Sequence, residues 1–157
     1  MQTSKFNDES EQLGQAQARR LEGSWALIVT PVPPPGVPPL PPRHVYATFS
    51  RGGAAIGSDR GLPFGSPQHG VWKHLGGNEF AYTFIQDLFD ATGNFQGTLK
   101  VRFKITLTGK DEFVGVANSQ IRDADGNITL DGCSTFRAER IKIEPLAPRC
   151  QSITPPQ

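Results

Sequence analysis

The segment Phe95–Thr108 reads FQGTLKVRFKITLT. From Phe95 to Leu107, every second residue except Gly97 is apolar, and the residues between them are polar or charged. Successive side chains of a strand point to opposite faces, so this alternation is typical of a strand with one face in a core and the other in water. The segment therefore predicts a long antiparallel strand that buries one face.

Further runs of β-branched and aromatic residues lie on both sides of this segment and are separated by short loops. Gly76-Gly77 predicts a two-residue hairpin. The motif Asp-Ala-x-Gly-Asn occurs at 90–94 and again at 123–127, where Asp caps the turn and Gly takes the left-handed conformation. The other predicted strands are 25–30, His44–Ser50, Ala54–Asp59, His69–Leu75, Phe80–Phe89, Phe113–Arg122, Asn127–Leu130 and Ser134–Ile143.

These strands and loops predict the fold and the domain organisation. Short loops make strands that are consecutive in sequence pair in space, and no helix is available to cover an open sheet. An all-β fold is therefore expected, a single antiparallel up-and-down barrel of eight or nine strands, since closure removes the edges. Residues 1–20 form a polar N-terminal arm, helical or disordered, residues 21–144 form the barrel, and residues 145–157 form a proline-rich tail.

Length and charge exclude several classes of protein. The chain has 157 residues, which suffices for one domain. Sixteen Lys and Arg against 15 Asp and Glu give a formal net charge of +1, so no general attraction to nucleic acid or to a membrane surface is expected. The first 20 residues are polar and do not resemble an export signal, and two cysteines in such a chain predict a cytoplasmic protein.

The hairpin at Gly76-Gly77 predicts which side chains point into the barrel. A turn centred on this pair places Val71 opposite Tyr82 and His69 opposite Phe84, and all four then share one face. The next loop continues the same face onto the strand that follows. The predicted interior set is Val71, Tyr82, Phe84, Val101 and Phe103, with His69, Tyr82 and Gln86 as its polar members.

A barrel of about eight strands holds either packed side chains or one small ligand. We expect the interior set to bind a small apolar ligand, without a cofactor, in a protein that can form a homodimer. The alternative is a filled core in which the Tyr hydroxyl and the Gln amide find partners. A second possible function is a cofactor-free cyclase or isomerase with His69 and Tyr82 as catalytic proton-transfer groups. No metal site is expected, because His69 and His74, five residues apart, fall on opposite faces of one strand and His44 is distant.

Residues 31–43 are rich in proline. Within them, Val37–Arg43 reads VPPLPPR and matches the apolar-Pro-x-apolar-Pro-x-basic pattern that aromatic grooves bind as a polyproline II helix. Peptide docking through this loop is therefore a third possible function. The alternative is a stiff lid at one end of the barrel.

Gly23-Ser24-Trp25 opens the first predicted strand after a short candidate helix. This resembles the Gly-x-Trp signature of lipocalins, in which the Trp plugs the closed end of an eight-stranded barrel and an Arg from the last strand packs over it. The resemblance implies that Arg137 or Arg140 fills this role. The segment SPQHGVW at 66–72 adds a similarity to small bacterial lipocalin-like proteins. The resemblance implies the fold and, with it, an interior that holds a ligand.

Overall fold

The protein is a closed barrel in which every strand is antiparallel to its neighbours and follows chain order. The computed structural model describes residues 3–60 and 64–157, and in the first helix it describes side chains from residue 9 onward. The eight strands are β1 (Gly23–Val32), β2 (Arg43–Phe49), β3 (Ala54–Asp59), β4 (Gln68–Gly76), β5 (Glu79–Phe89), β6 (Phe95–Leu107), β7 (Glu112–Asp123) and β8 (Ile128–Arg140). The predicted up-and-down barrel is confirmed.

Helices lie only before and after the barrel in the described chain. Helix α1 (Thr3–Ala18) and a 3-10 turn (Arg19–Leu21) precede β1, and a single helical turn, α2 (Pro148–Gln151), lies in the tail. Residues 1 and 2 of the predicted arm lie outside the described residues. Neither helix is long and apolar enough to cross a membrane.

The two strands predicted at the C-terminal end of the barrel are one continuous strand, β8. Gly132 pairs with Ser119, and Asp131 pairs with Gln120, so the ladder runs through the polar residues that suggested a break. The Asp131 carboxylate also accepts hydrogen bonds from the side chains of Asn118 and Gln120 on β7. These cross-strand bonds favour a strand over a turn, and the barrel therefore has eight strands and not nine.

The two Asp-Ala-x-Gly-Asn loops fold alike, as their sequences predict. Asp90 Oδ1 accepts hydrogen bonds from the backbone amides of Thr92 and Asn94, both at 2.9 Å. The carboxylate of Asp123 binds the equivalent amides of its own loop. The glycine of each loop has a φ near +90°, a conformation that only glycine adopts without strain. These turns fix the register of β5 against β6 and of β7 against β8.

The β5–β6 pairing follows the predicted register, in which Tyr82 lies opposite Phe103 and Phe84 opposite Val101. On β6, the apolar residues of the alternating pattern from Leu99 to Leu107 are all buried, and the polar residues between them face outward. The alternation of this strand therefore identifies the interior of the barrel.

The β4–β5 register differs from the prediction by one residue. The turn is formed by Gly77 and Asn78, because Gly76 pairs with Glu79, and a β-bulge lies between His74 and Gly76. A shift of one residue turns every side chain of a strand to the other face. The inner face of β4 therefore carries Gln68, Gly70, Trp72 and His74, and the predicted set on this strand faces outward.

One end of the barrel is closed by the Gly-Ser-Trp segment. Trp25 is fully buried and packs against Phe113, and its Nε1 donates a hydrogen bond to the carbonyl of Leu21 at 2.9 Å. The Arg140 guanidinium lies over the indole. Gly23 leaves room for it, because a Cβ at this position would come within 2.8 Å of Arg140 Nη1. Of the two arginines that the resemblance offers, Arg140 therefore occupies the place over Trp25, while Arg137 faces outward.

Candidate ligand-binding site at the open end of the barrel

The half of the interior next to Trp25 is filled by aromatic rings. Tyr82, Phe84 and Phe103 contact one another, with ring centroids 5.0–5.8 Å apart. Phe49 and Phe136 extend this group, at 5.0 Å from Tyr82 and 5.3 Å from Phe103. Rings at these distances are in direct contact, so they form a packed core and not the separated walls of an empty space. The filled-core alternative describes this half of the barrel.

The half of the interior away from Trp25 is of a different character. Its inner face includes several polar side chains, and apolar residues near the rim are only partly buried although they point inward. Partial burial on an inner face means that solvent reaches it from the end of the barrel. We call this region the open end, and its inward-facing residues are Val29, Arg43, Asp59, Gln68, Gln86, Leu88, Ser119, Ile121 and Ser134.

Two buried glutamines form a chain of hydrogen bonds at the open end. Gln86 Nε2 donates to the carbonyl of Ser66 at 2.8 Å, and Gln68 Nε2 donates to Gln86 Oε1 at 3.4 Å. Ser66 is itself held against β5, because its backbone N–H donates to the carbonyl of Asp87 at 2.9 Å. The chain is therefore anchored in the backbone at one end and finishes at Gln68.

The last atom in this series of hydrogen bonds, Gln68 Oε1, has no partner among the residues that the structure describes. Gln68 Oε1 is buried, in a residue that is only 1% exposed, and it accepts no hydrogen bond from the part of the chain that the structure describes. Gly57 on β3 makes room for it, because a Cβ there would lie 2.6 Å from Oε1. A buried polar atom without a hydrogen bond costs about 1–3 kcal/mol, so such an atom marks a place for a ligand or a water molecule.

The Tyr82 hydroxyl is the second buried polar atom that lacks a partner in the described chain. Its ring lies over Gly70, where a Cβ would come within 2.6 Å of Tyr82 Cε2. Gly70 and Gln68 are on the same face of β4, two residues apart, so the ring of Tyr82 borders the stretch of interior that Gln68 also lines. Burial raises the pKa of Tyr82 well above its ordinary value, which keeps the hydroxyl protonated.

A charged pair lies at the rim of the open end. Arg43 Nη1 lies 3.6 Å from Asp59 Oδ2, and the Asp59 side chain is 4% exposed against 45% for Arg43. Asp59 follows Gly57 by two residues on the inner face of β3, so its carboxylate is one step nearer the rim than Gln68. Arg43 also ends the proline-rich loop, in which residues 34–42 are all exposed.

Five residues of the predicted interior set do face the interior. They are Tyr82, Phe84, Gln86, Val101 and Phe103, and all are buried. The remaining two do not. Val71 is 65% exposed on the outer face of β4, and His69 is exposed on the same face. Their predicted inward orientation is wrong because the bulge shifts β4 by one residue. His69 and Tyr82 consequently lie on opposite sides of the barrel wall, and the pair predicted for a cyclase or isomerase is not assembled.

Of the open-end residues, only Gln86 belongs to the predicted interior set, and the missed ones include the charged or amide side chains of Arg43, Asp59 and Gln68. Alternation predicts that the polar residues of a strand face solvent. Charged and amide side chains that point inward are therefore assigned to the wrong face. The correct register of β4 predicts that Gln68 faces inward, because it places Gln68 level with Gln86. Gln86 faces inward because it is two residues from Phe84 and four from Tyr82 on the same strand.

An open concavity of about 430 Å³ lies on the outside of the barrel, across β2, β1, β8 and β7. Its lining includes the outward-facing residues Ala26, Ile28, His44, Tyr46, Arg137 and Glu139. We call it the outer groove. It shares no residue of the open end.

Comparison of the chain with known protein families and with curated proteins gives no match. The resemblance to lipocalins therefore rests on the Gly-x-Trp segment and on the position of Arg140. The function has to be argued from the site itself.

Proposed function

We propose that the protein binds a small, largely apolar molecule at the open end of the barrel. The polar part of this molecule contacts Gln68 and Tyr82, and its apolar part lies against Leu88, Ile121 and Val29. Small-molecule sites are commonly apolar, with a few convergent polar groups that orient the ligand, and the open end combines these two features.

The observation that carries this proposal is the pair of buried atoms without partners, Gln68 Oε1 and the Tyr82 hydroxyl. Both are buried inside the barrel, and the Tyr82 ring is packed into the aromatic core, which holds it in place. A site built on rigid strands keeps its polar groups in place before the ligand arrives, which lowers the entropy cost of binding.

The proposal is tested by titrating isotope-labelled protein with 1-octanol, a neutral molecule with one polar group, and following methyl resonances by NMR. We expect shifts at Val29, Leu88 and Ile121 and none at Ile28 or Val114, which border the outer groove. Shifts confined to the outer groove, or no saturable shifts at all, would overturn the proposal.

A pair of matched variants separates the open end from the rest of the surface. Ser119 lies on β7, between β6 and β8, and points into the open end. Ser119→Phe therefore places a ring in the proposed site and is expected to abolish the shifts. Ser58→Phe adds the same ring on the outer face of β3, where the side chain is exposed, and is expected to leave them unchanged.

Peptide docking by the proline-rich loop remains a second candidate function. Its support is the exposure of Val37 and Leu40, at 47% and 56%, which are the apolar positions of the motif. The basic position, Arg43, is held by Asp59 and has to leave this carboxylate to reach a partner. Binding to purified SH3 domains tests the idea: the double variant Pro38→Ala, Arg43→Ala should abolish the interaction, and retained binding would refute it.

We infer a cytoplasmic location from the cysteines. Cys133 and Cys150 are both free, and Cys133 is exposed. Unpaired, accessible thiols are typical of proteins in a reducing compartment. Fractionation of cells that express the full chain tests this inference, and recovery in an exported fraction would contradict it.

A further inference from the structure

We propose that the ligand of the open end is a neutral molecule that donates a hydrogen bond to Gln68 Oε1 from a hydroxyl or an amide N–H. This inference rests on the proposed function and adds the chemical class of the ligand. It follows from the direction of the hydrogen-bond chain that ends at Gln68.

The direction of the chain is set at its anchored end. The carbonyl of Ser66 can only accept a hydrogen bond, so the amide atom of Gln86 that lies 2.8 Å from it must be Nε2. The other amide atom of Gln86, Oε1, then faces Gln68 and can only accept. Gln68 must therefore present Nε2 to Gln86, and its own Oε1 is left beside Gly57 of β3 without a donor in the described chain.

The free position at the end of the chain is thus an acceptor, and this excludes some ligands. A carboxylate, a phosphate monoester dianion or an ether presents only oxygen lone pairs, which would face the lone pairs of Gln68 Oε1. A hydroxyl or an amide N–H supplies the hydrogen that Oε1 lacks.

Tyr82 supplies the complementary group. Its hydroxyl is buried and without a partner in the described chain, and it keeps its proton because burial disfavours the phenolate. It can donate to an oxygen of the ligand while Gln68 accepts from the ligand. Alcohols and amides carry a donor and an acceptor within one small group, and they satisfy both residues. This is the chemistry that the open end selects.

A set of three probes with the same chain tests the selection. Octanol donates and accepts, octyl methyl ether only accepts, and octanoate at pH 8 is an anion. We expect octanol to bind at least about tenfold more tightly than either of the others, the scale of one buried hydrogen bond. Gln68→Met is expected to remove this preference, so that octanol and the ether bind alike. Gln96→Met makes the same change at an exposed position and should keep the preference.

A second variant tests the direction of the chain and does not depend on the behaviour of Gln68→Met. Gln86→Met removes the acceptor that fixes the Gln68 amide, so this amide can turn and offer Nε2 to the interior. The preference for octanol over the ether should then fall toward unity. An unchanged preference in folded Gln86→Met protein would contradict the proposed direction.

The outcomes separate this inference from the proposed function. If none of the probes binds at the open end, the proposed function fails. If octanol, the ether and octanoate bind there with equal affinity, the open end is a binding site but the donor requirement is wrong. Equal affinity would also mean that an ordered water molecule, and not the ligand, satisfies Gln68 Oε1.

Discussion

The guanidinium carbon of Arg140 lies 4.1 Å from the centroid of the Trp25 ring and covers the closed end of the barrel. The same guanidinium donates hydrogen bonds to the carbonyls of Glu22 at 2.6 Å and Arg20 at 2.7 Å, and it forms an ion pair with Asp111 at 3.2 Å. One side chain thus ties the last strand to the start of the first strand and to the β6–β7 loop. The barrel is therefore closed at this end.

This arrangement predicts that Arg140→Met strongly destabilises the protein. The variant leaves the carbonyls of Glu22 and Arg20 without their donor and removes the cation–π contact, so the free energy of unfolding should fall by about 2–4 kcal/mol. Urea denaturation measures this change. Arg137→Met is the matched control, because Arg137 faces outward, and its effect should stay within about 0.5 kcal/mol. Equal effects of the two substitutions would show that the contacts of Arg140 contribute nothing.

Tyr82→Phe is expected to leave the free protein as stable as the wild type or to stabilise it by up to about 1 kcal/mol. The substitution removes a buried hydroxyl that has no hydrogen-bond partner in the described chain, so no bond is lost and a desolvation cost is relieved. The same variant should weaken the binding of octanol. A large loss of stability, measured by thermal unfolding without ligand, would mean that the hydroxyl has a partner in the free protein.

Tyr82 also predicts how stability changes at alkaline pH. Its pKa is raised in the folded state because burial penalises the phenolate. In the unfolded chain the tyrosine loses its proton at about pH 10, whereas in the folded protein it keeps the proton to higher pH. Unfolding therefore becomes more favourable as the pH rises past about 10, and the folded protein loses stability. Between pH 9 and pH 11 the wild type should therefore lose more stability than Tyr82→Phe. Parallel loss in the two proteins would contradict the burial of this side chain.

Gly70→Ala is expected to lower the free energy of unfolding by at least about 2 kcal/mol. A Cβ at this position would lie 2.6 Å from Tyr82 Cε2 and would also meet the backbone carbonyl oxygen of Thr83, which cannot move aside. Gly14→Ala is the control, since a Cβ there has no neighbour within 4 Å, and alanine favours the helix. Tolerance of Gly70→Ala would mean that the Tyr82 ring lies elsewhere.

The loop at 90–94 predicts a loss of stability in acid. Hydrogen bonds from the Asn94 amide and from Thr92 hold the pKa of Asp90 at about 2, below its ordinary value of 3.8. Because the folded protein binds the Asp90 proton more weakly than the unfolded chain does, the ionised carboxylate stabilises the fold above about pH 4. This stabilisation is lost as the pH falls from about 4 to about 2. Asp90→Asn, which still accepts the backbone bonds, should flatten the decline in urea titrations over this range. Asp125→Asn makes the same change of charge in the other loop and serves as the control for net charge.

The fold could be predicted from the sequence because its strongest signals are local. The alternation along β6 marks the buried face without reference to any other strand, and the Asp and Gly of each repeated loop set the next register. These local signals were enough to predict the pairing of Tyr82 with Phe103, which the structure confirms. These signals also placed Phe84, Gln86 and Val101 correctly.

The open end could not be predicted in the same way, because it depends on a feature that the sequence does not mark. The bulge between His74 and Gly76 moves the turn from Gly76-Gly77 to Gly77-Asn78, and either pair suits a tight turn. This shift of one residue turns His69 and Val71 outward and places Gln68, Gly70 and Trp72 on the inner face of β4. The interior polar residues also run against alternation, since a buried Gln is favoured only when a partner such as Gln86 faces it.

The most direct test of ligand binding at the open end is the crystal structure of the full chain grown with 1-octanol. The account predicts electron density for the alkyl chain beside Leu88 and Ile121, with the octanol oxygen at a hydrogen-bonding distance of about 2.7–2.8 Å from Gln68 Oε1. The opposite result is an open end that holds only water, or one closed by its own side chains, with octanol absent or bound in the outer groove.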